Sequence, residues 1–322
     1  MFEQQEINSV KVGDKIKHFL ILNKLEVKTT VKNKLFLNLE FKDRSAQIPG
    51  KMWEKFENIL PSLKEGEIVF VDGTMGEFNG PQITVDKIRL ADKNDNVSIN
   101  DFLPKSIIPL KLMIDEFNET VASVTDEYLK RLLVKIFNDE RRNKFFHAPA
   151  GKTWHHAYIH GLLEHTLEII KICELLCSIH SDINRDLLIT GSLLHDLGKT
   201  DELSYDNVFD YTDKGRLIGH IVIGAVEVEK AIESIDNFPV YLKEQIIHLI
   251  LSHQGKLEFA SPVEPKTLEA IVLYQADELS AKANAYKYAI EAEKNKGNRW
   301  TKFLHLANTS LYIPDDFNEK ET

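Results

Sequence analysis

Residues 187–203 read LLITGSLLHDLGKTDEL. An apolar helical run places His195 and Asp196 at consecutive positions near its C-terminal end, with Lys199 four residues after the histidine and three after the aspartate. Neighbouring helix side chains diverge by about 100°, so the pair can grip from two directions, and a carboxylate with two oxygens can bridge two ions. Residues three and four apart share a helix face. The Lys199 ammonium is therefore placed to meet a phosphate held by metal ions at His195 and Asp196, and Gly198 is expected to let that phosphate approach closely. Alone, the dipeptide is more often an ordinary helix end, so its surroundings decide.

Working outward, the same embedding recurs. His165 lies in GLLEHTLEI (161–169), His220 in GRLIGHIVIG (215–224), His253 in LILSHQG (249–255) and Asp277 in IVLYQADELSA (271–281). Each is a ligand-type side chain inside an apolar helical segment, where leaving it unpaired costs on the order of several kcal/mol. One such histidine is ordinary core chemistry, but four His and two Asp in this order beside a lysine are better explained by bound metal. Mixed imidazole and carboxylate donors suit Mn, Fe, Co or Zn better than Mg. His248, five residues before His253, falls on a different helix face and reads as structural.

The segment before the first of these histidines carries Trp154, His155, His156, Tyr158 and His160. These rings either stack a terminal base and bind its phosphate or pack as the entry to the helix. Glu164 and Glu278 adjoin ligands, as partners for an imidazole or as exposed helix acids.

Upstream, the period changes. HFLILNKLEVKTT (18–30), KLFLNLEFKD (34–43), SAQIPGKMW (45–53), EIVFVDGTMGEF (67–78) and PQITVDKIRL (81–90) are β-branched or alternating runs between Asn, Asp and Gly turns. Five short strands, with a helix predicted around Trp53–Leu60 between the third and fourth, describe a small barrel of the OB-fold type. Phe36, Phe41, Trp53 and Phe78 are stacking candidates, and Lys32, Lys34, Lys42 and Arg44 can follow a phosphate backbone. Alternation puts Phe36 and Phe41 on opposite faces, so at least one belongs to the core. Residues 11–55 hold 11 basic and 5 acidic side chains in a chain of net charge −10, a local excess that suits a phosphate backbone gripped at one place or a solvated face without a partner.

Between the two parts, DKNDNVSIN (92–100) is polar and without period, and Ile108–Phe137 carries apolar residues at helical spacing. The expected organisation is α+β and multidomain: a β-barrel over 1–97, a linker and connecting helices over 98–145, a mainly α-helical domain over 146–300, and a tail over 301–322. No apolar run approaches the roughly 20 residues of a membrane span, and MFEQQEINSV lacks a secretory pattern, so a cytoplasmic location is expected. Cys173 and Cys177, four apart in an apolar helix, are expected as reduced, buried packing residues rather than a disulfide framework.

The series H…HD…H…H…D resembles the HD-domain phosphohydrolase superfamily, in its form with extra histidines that suit two metals. KLFLNLEFKDRSAQIPGKMW (34–53) is similar to the central strands of nucleic-acid-binding OB modules. PAGKTWHHAYIHGLLEHT (149–166), HDLGK (195–199) and RWTKFLHLANTSLYIP (299–314) behind an OB-fold resemble the YhaM family of 3′-to-5′ exoribonucleases over nearly the whole chain. The resemblance implies His165, His195, Asp196, His220, His253 and Asp277 as ligands, with Asp196 bridging. It implies Lys199 as the phosphate or transition-state contact, and favours manganese. His160 departs from the pattern, which has a small residue there, commonly glycine.

The activity so implied is 3′-to-5′ hydrolysis of single-stranded RNA, with single-stranded DNA as an alternative substrate, through a hydroxide activated by two metals. Trp154, His156, Tyr158, His160, Phe36, Trp53 and Arg44 are the candidate substrate contacts, and a homo-oligomer is compatible with the sequence. The rivals are an HD-domain hydrolase of a small nucleotide and a non-catalytic nucleic-acid-binding regulator.

Overall fold

The computed structural model describes residues 4–78, 80–204, 209–294, 298–305 and 307–314. The chain divides into two compact units, residues 1–105 with 204–210, and residues 106–203 with 211–322.

In the first unit, β1 (Lys15–Thr29), β2 (Leu35–Lys42), β3 (Gln47–Met52), β4 (Ile68–Glu77) and β5 (Pro81–Leu90) close a barrel in the order β1-β2-β3-β5-β4. Strand β1 is long enough to pair with both β4 and β2, and a register shift between Leu22 and Lys24 bends it from one to the other. Every pairing is antiparallel except that of β3 with β5. Along β2, Leu37, Leu39 and Phe41 enter a core with Ile16, Leu20, Val69, Val71 and Ile83, while Phe36, Asn38 and Glu40 point outward. Phe41 is therefore the core member of the aromatic pair.

The helix predicted over Trp53–Leu60 does not form, because Lys55 sits at φ 61 and Pro61 opens a 3-10 turn at Leu60–Ser62. The polar stretch 92–100 contains two more 3-10 turns, at Lys93–Asp95 and Ile99–Asp101, closed by Asp92 with Asp95 and by Ser98 with Asp101.

The second unit is a helical assembly of α1 (Leu110–Ser123), α2 (Glu127–Ile136), α3 (Asp139–His147), α4 (Gly161–Ile179), α5 (Arg185–Leu194), α6 (Lys199–Glu202), α7 (Asp213–Ile218), α8 (His220–Glu233), α9 (Val240–Ser252) and α10 (Leu268–Lys294). Helix α4 packs on α5 and α10, and α9 on α5 and α8. Leu162, Leu163, Leu167, Leu188, Leu193, Ile246, Leu249 and Leu273 fill the space between them. None of the helices among the described residues is long and apolar enough to cross a membrane. Both cysteines are free thiols, Cys173 buried and Cys177 only half-buried, so the pair is less deeply packed than its helix suggests. After α10, Trp300 bridges Tyr312 and Leu304 bridges Thr309, folding the chain back on itself.

Candidate metal centre

Helix α5 ends at Leu194, one residue before the dipeptide. His195 keeps αR geometry, and the bonds Leu197 N→Leu194 O (3.1 Å) and Lys199 N→Asp196 O (3.0 Å) tighten the chain into a turn that leads directly into α6. The tightening leaves Lys199 beside Asp196, with its Nζ 2.7 Å from Asp196 Oδ2.

Around this turn, α4 contributes His165, α8 begins at His220, α9 ends against His253, and α10 contributes Asp277. The Asp196 carboxylate stands between them. Its Oδ2 is 3.2 Å from His195 Nε2 and 3.6 Å from His165 Nε2, and its Oδ1 is 3.4 Å from His220 Nε2 and 3.6 Å from His253 Nε2. Asp277 Oδ1 lies 3.0 Å from His165 Nε2. The donor atoms thus fall into two triads, His165–His195–Asp277 and Asp196–His220–His253. All six residues that sequence reasoning selected as ligands converge here.

Electrostatics and hydrogen bonding both fit a divalent cation. His165, His195 and His253 are wholly buried and Asp196 is 1% exposed. The Nε2 atoms of His165, His195 and His220 and both Asp196 oxygens lack a hydrogen bond of acceptable geometry. Burial pushes His165 down to about 4 and also lowers His253, which favours the neutral imidazole that a metal needs, whereas at His195 the Asp196 charge outweighs burial and raises it. Burial alone would raise Asp196, but Lys199 and His195 outweigh it and hold the carboxyl well below its ordinary range. Lys199 is likewise opposed by burial and held above its usual range by Asp196 and Asp277. Imidazole nitrogens and carboxylate oxygens without good hydrogen bonds, pointed at one another in a largely buried site, are the signature of an imidazole–carboxylate metal centre.

The other ring nitrogen of each histidine is held in place. His195 Nδ1 meets Ser192 O at 2.8 Å, His253 Nδ1 meets Ile250 O at 2.7 Å, His165 Nδ1 meets Ser280 Oγ at 3.0 Å, and His220 Nδ1 meets Glu202 Oε1 at 3.1 Å. Such partners fix the tautomer and ring orientation. Sequence reasoning missed Glu202 and Ser280. Ser280 follows Asp277 by one helical turn and so shares its face, a signal that spacing alone could have supplied. Glu202 had no such signal, because it reaches from α6 to the start of α8. Replacing Glu202 with glutamine should weaken an ion at the His220–His253 triad by about 10- to 100-fold and spare the His165–His195 triad; a chelator-competition titration that loses both or neither overturns this.

Gly198 has a different task from the one expected of it. A Cβ there would lie 2.1 Å from His220 O and 2.8 Å from Gly224 N, so the glycine lets the turn lie against α8 rather than admitting a phosphate. Gly198→Ala should therefore destabilise the helical unit by about 1–3 kcal/mol, read as a lower Tm by calorimetry. An unchanged Tm with reduced activity would restore the phosphate reading.

The aromatic and imidazole cluster separates into members near the metal centre and members away from it. A cavity of about 380 Å³ is lined by Trp154, His155, His253, Gln254, Phe259, Tyr274 and Asp277, so Trp154 and His155 border the centre directly, as do Phe259 and Tyr274, which the sequence did not single out. Tyr158 is buried with its hydroxyl accepting from Asn284 Nδ2 at 3.1 Å. His160 turns away: its Nδ1 bonds Phe146 O at 2.7 Å and its ring faces His147. His160 also sits at φ 70, a conformation that glycine adopts freely, which accounts for the small residue expected there. Glu164 is buried and Glu278 pairs with Lys282 rather than an imidazole.

On the barrel, Phe36 and Trp53 stack at 4.7 Å and 26°, with Lys51 Nζ 5.8 Å from the Trp53 ring and 4.8 Å from that of Phe78. Register explains the grouping, since Asn38 faces Lys51 and the next outward pair is Phe36 with Trp53. The platform lies beside the β1–β2 and β4–β5 turns, the loops through which OB barrels bind strands. Arg44 does not join it; it lies beyond the far end of β2, paired with Glu6 at 2.8 Å.

A model of the HD domain matches residues 162–282, and one of the OB-fold nucleic acid binding domain matches residues 25–91. The 3′-5′ exoribonuclease YhaM of Bacillus subtilis (strain 168) is 32% identical over 307 residues, covering 94% of this chain and 96% of that protein. Its namesake in Bacillus licheniformis is 33% identical over 310 residues with the same coverage, and that of a Geobacillus species is 32% identical over 309 residues, covering 94% and 93%. With identity near one third over 94% of the chain, a span that takes in both the barrel and the helices that carry the six donors, the chain belongs to the YhaM family of 3′-5′ exoribonucleases.

Proposed function

We propose that this protein degrades single-stranded RNA from its 3′ end by metal-dependent hydrolysis, with single-stranded DNA as a second substrate. The observation that carries the reading is the Asp196 carboxylate, which offers one oxygen to the His165–His195 pair and the other to the His220–His253 pair. His165, His195 and Asp277 would hold one divalent ion and His220 and His253 the other, with Asp196 shared. Manganese fits both the family and the mixed donors. Two such ions supply a lowered water pKa and charge stabilisation on the attacking and leaving oxygens of an in-line displacement.

The chain's own residues do the rest. Lys199, buried and charged beside Asp196, neutralises a non-bridging phosphate oxygen as charge develops there. The Ser192, Ile250, Ser280 and Glu202 acceptors keep the imidazoles from rotating. No Ser or Cys nucleophile is required, because phosphoryl transfer is mainly positioning and charge stabilisation. The cavity bounded by Trp154, Phe259 and Tyr274 has room for one terminal nucleotide, with aromatic faces for its base. In this scheme residues 1–97 hold the strand, 146–300 hydrolyse it, 98–145 connect the two, and 301–322 form the tail. His156 and Tyr158 support the pocket wall. A cytoplasmic homo-oligomer completes the proposal.

The test is single-stranded RNA labelled at its 5′ end, incubated with manganese. A descending ladder of labelled fragments is expected. Hydrolysis of free nucleotides with intact RNA would replace this reading with the small-nucleotide one, and retention of uncut RNA across several metals would leave a binding protein.

A further inference from the structure

Beside the metal centre, His156 stands 5.0 Å ring to ring from His165 and adjoins two further acceptors, Glu164 buried and Glu168 half-buried. Glu164 and Glu168 stand one turn apart on α4, and with His156 they bring three donor atoms within 4.8 Å of one another. His156 is 0% exposed, and its Nε2 lies 3.2 Å from Glu168 Oε2 without hydrogen-bond geometry. Glu164 is 9% exposed, and its Oε2 has no partner. A cavity of about 160 Å³ opens on the two carboxylates, with Tyr158, Asn284 and Tyr288 among its walls.

His156 is held there against its own backbone preference. It sits at φ 44, uncommon for a residue with a Cβ. Its N–H donates to Asn284 Oδ1 at 2.8 Å, and its carbonyl accepts from Ala150 N at 3.1 Å and Tyr158 N at 2.9 Å. Strain of this kind persists only where the surroundings over-determine it. The result is an imidazole nitrogen and two carboxylates gathered at one place, an arrangement that a bound cation would stabilise.

We propose that His156, Glu164 and Glu168 bind a third divalent cation, of the transition-metal class that accepts mixed nitrogen and oxygen donors. This site is separate from the two triads yet linked to them. Glu168 Oε2 accepts from Ser280 Oγ at 2.7 Å, and the same hydroxyl meets His165 Nδ1 at 3.0 Å. Glu168 has its side chain 38% exposed, so the third ion exchanges with solvent more readily than the other two. The alternative is a direct His156–Glu168 contact without an ion.

Metal-stripped protein titrated with manganese, with bound metal counted per chain by mass spectrometry after ultrafiltration, should reach three. Glu164→Gln, which touches neither triad, should weaken the third ion by at least about tenfold and leave two bound under the same conditions. Anomalous diffraction from wild-type crystals at the manganese edge should show a peak between His156 and the two glutamates, and this arm decides if the variant fails to fold. Saturation at two ions with no such peak overturns the third site. Loss of the peaks at the His165 and His220 triads would instead overturn the two-ion reading above, so the two failures are distinguishable.

Discussion

Asp196→Ala is expected to lower the rate of nucleotide release from single-stranded RNA by at least about a thousandfold, about 4 kcal/mol of transition-state stabilisation. The size follows from position. Each of its oxygens faces an imidazole pair, and Oδ2 also meets the Lys199 ammonium, so one truncation removes a member of the His220–His253 triad, the oxygen facing His165 and His195, and the counter-charge of a buried lysine. Breaking a buried pair at one partner costs about 3–5 kcal/mol, so activity alone does not judge the variant. Lys199→Met separates the two effects. It removes the buried cation while leaving all six donors, and should keep the bound metal while losing about 10²–10³ in rate. Asp196→Ala should lose both. Metal counting beside single-turnover kinetics distinguishes them, and a rate within tenfold of wild type for Asp196→Ala would sink the mechanism.

The six donors could be read in the sequence because each is a polar interruption of an apolar helix, and burying it without a partner is costly in any fold. Partners that act across elements gave no such signal. Glu202 reaches His220 over 18 residues of chain, and nothing in KTDEL separates it from an exposed helix acid. Gly198 shows the same limit from the other side: the need for a missing Cβ was legible, but what approaches it was not, and it proved to be the His220 carbonyl. Strand alternation established that Phe36 and Phe41 diverge, whereas barrel closure decided which faces inward. The missing helix after Trp53 was a matter of local conformation, with Pro61 and the positive φ of Lys55 overriding the apolar spacing.

Trp53→Ala should weaken binding and turnover of long single-stranded RNA by about 1–3 kcal/mol, the usual worth of one base–aromatic stack, or about 5- to 150-fold in KM. A small phosphodiester such as bis(p-nitrophenyl) phosphate should be hydrolysed as before. The stack with Phe36 adds a second expectation. Because the two rings support one another at 4.7 Å, removing either spoils the surface offered by both, so the Phe36→Ala/Trp53→Ala double variant should cost much less than the sum of the single losses. Lys51→Ala, which takes away a cation lying near both the Trp53 and Phe78 rings, should lower the salt dependence of RNA binding by about one phosphate contact. Arg44→Ala, already engaged by Glu6 and beyond the far end of β2, should change RNA affinity little. Equal loss on RNA and on the small phosphodiester would mean that these rings maintain the protein rather than hold the strand, and no loss on either would remove the barrel face from the substrate path.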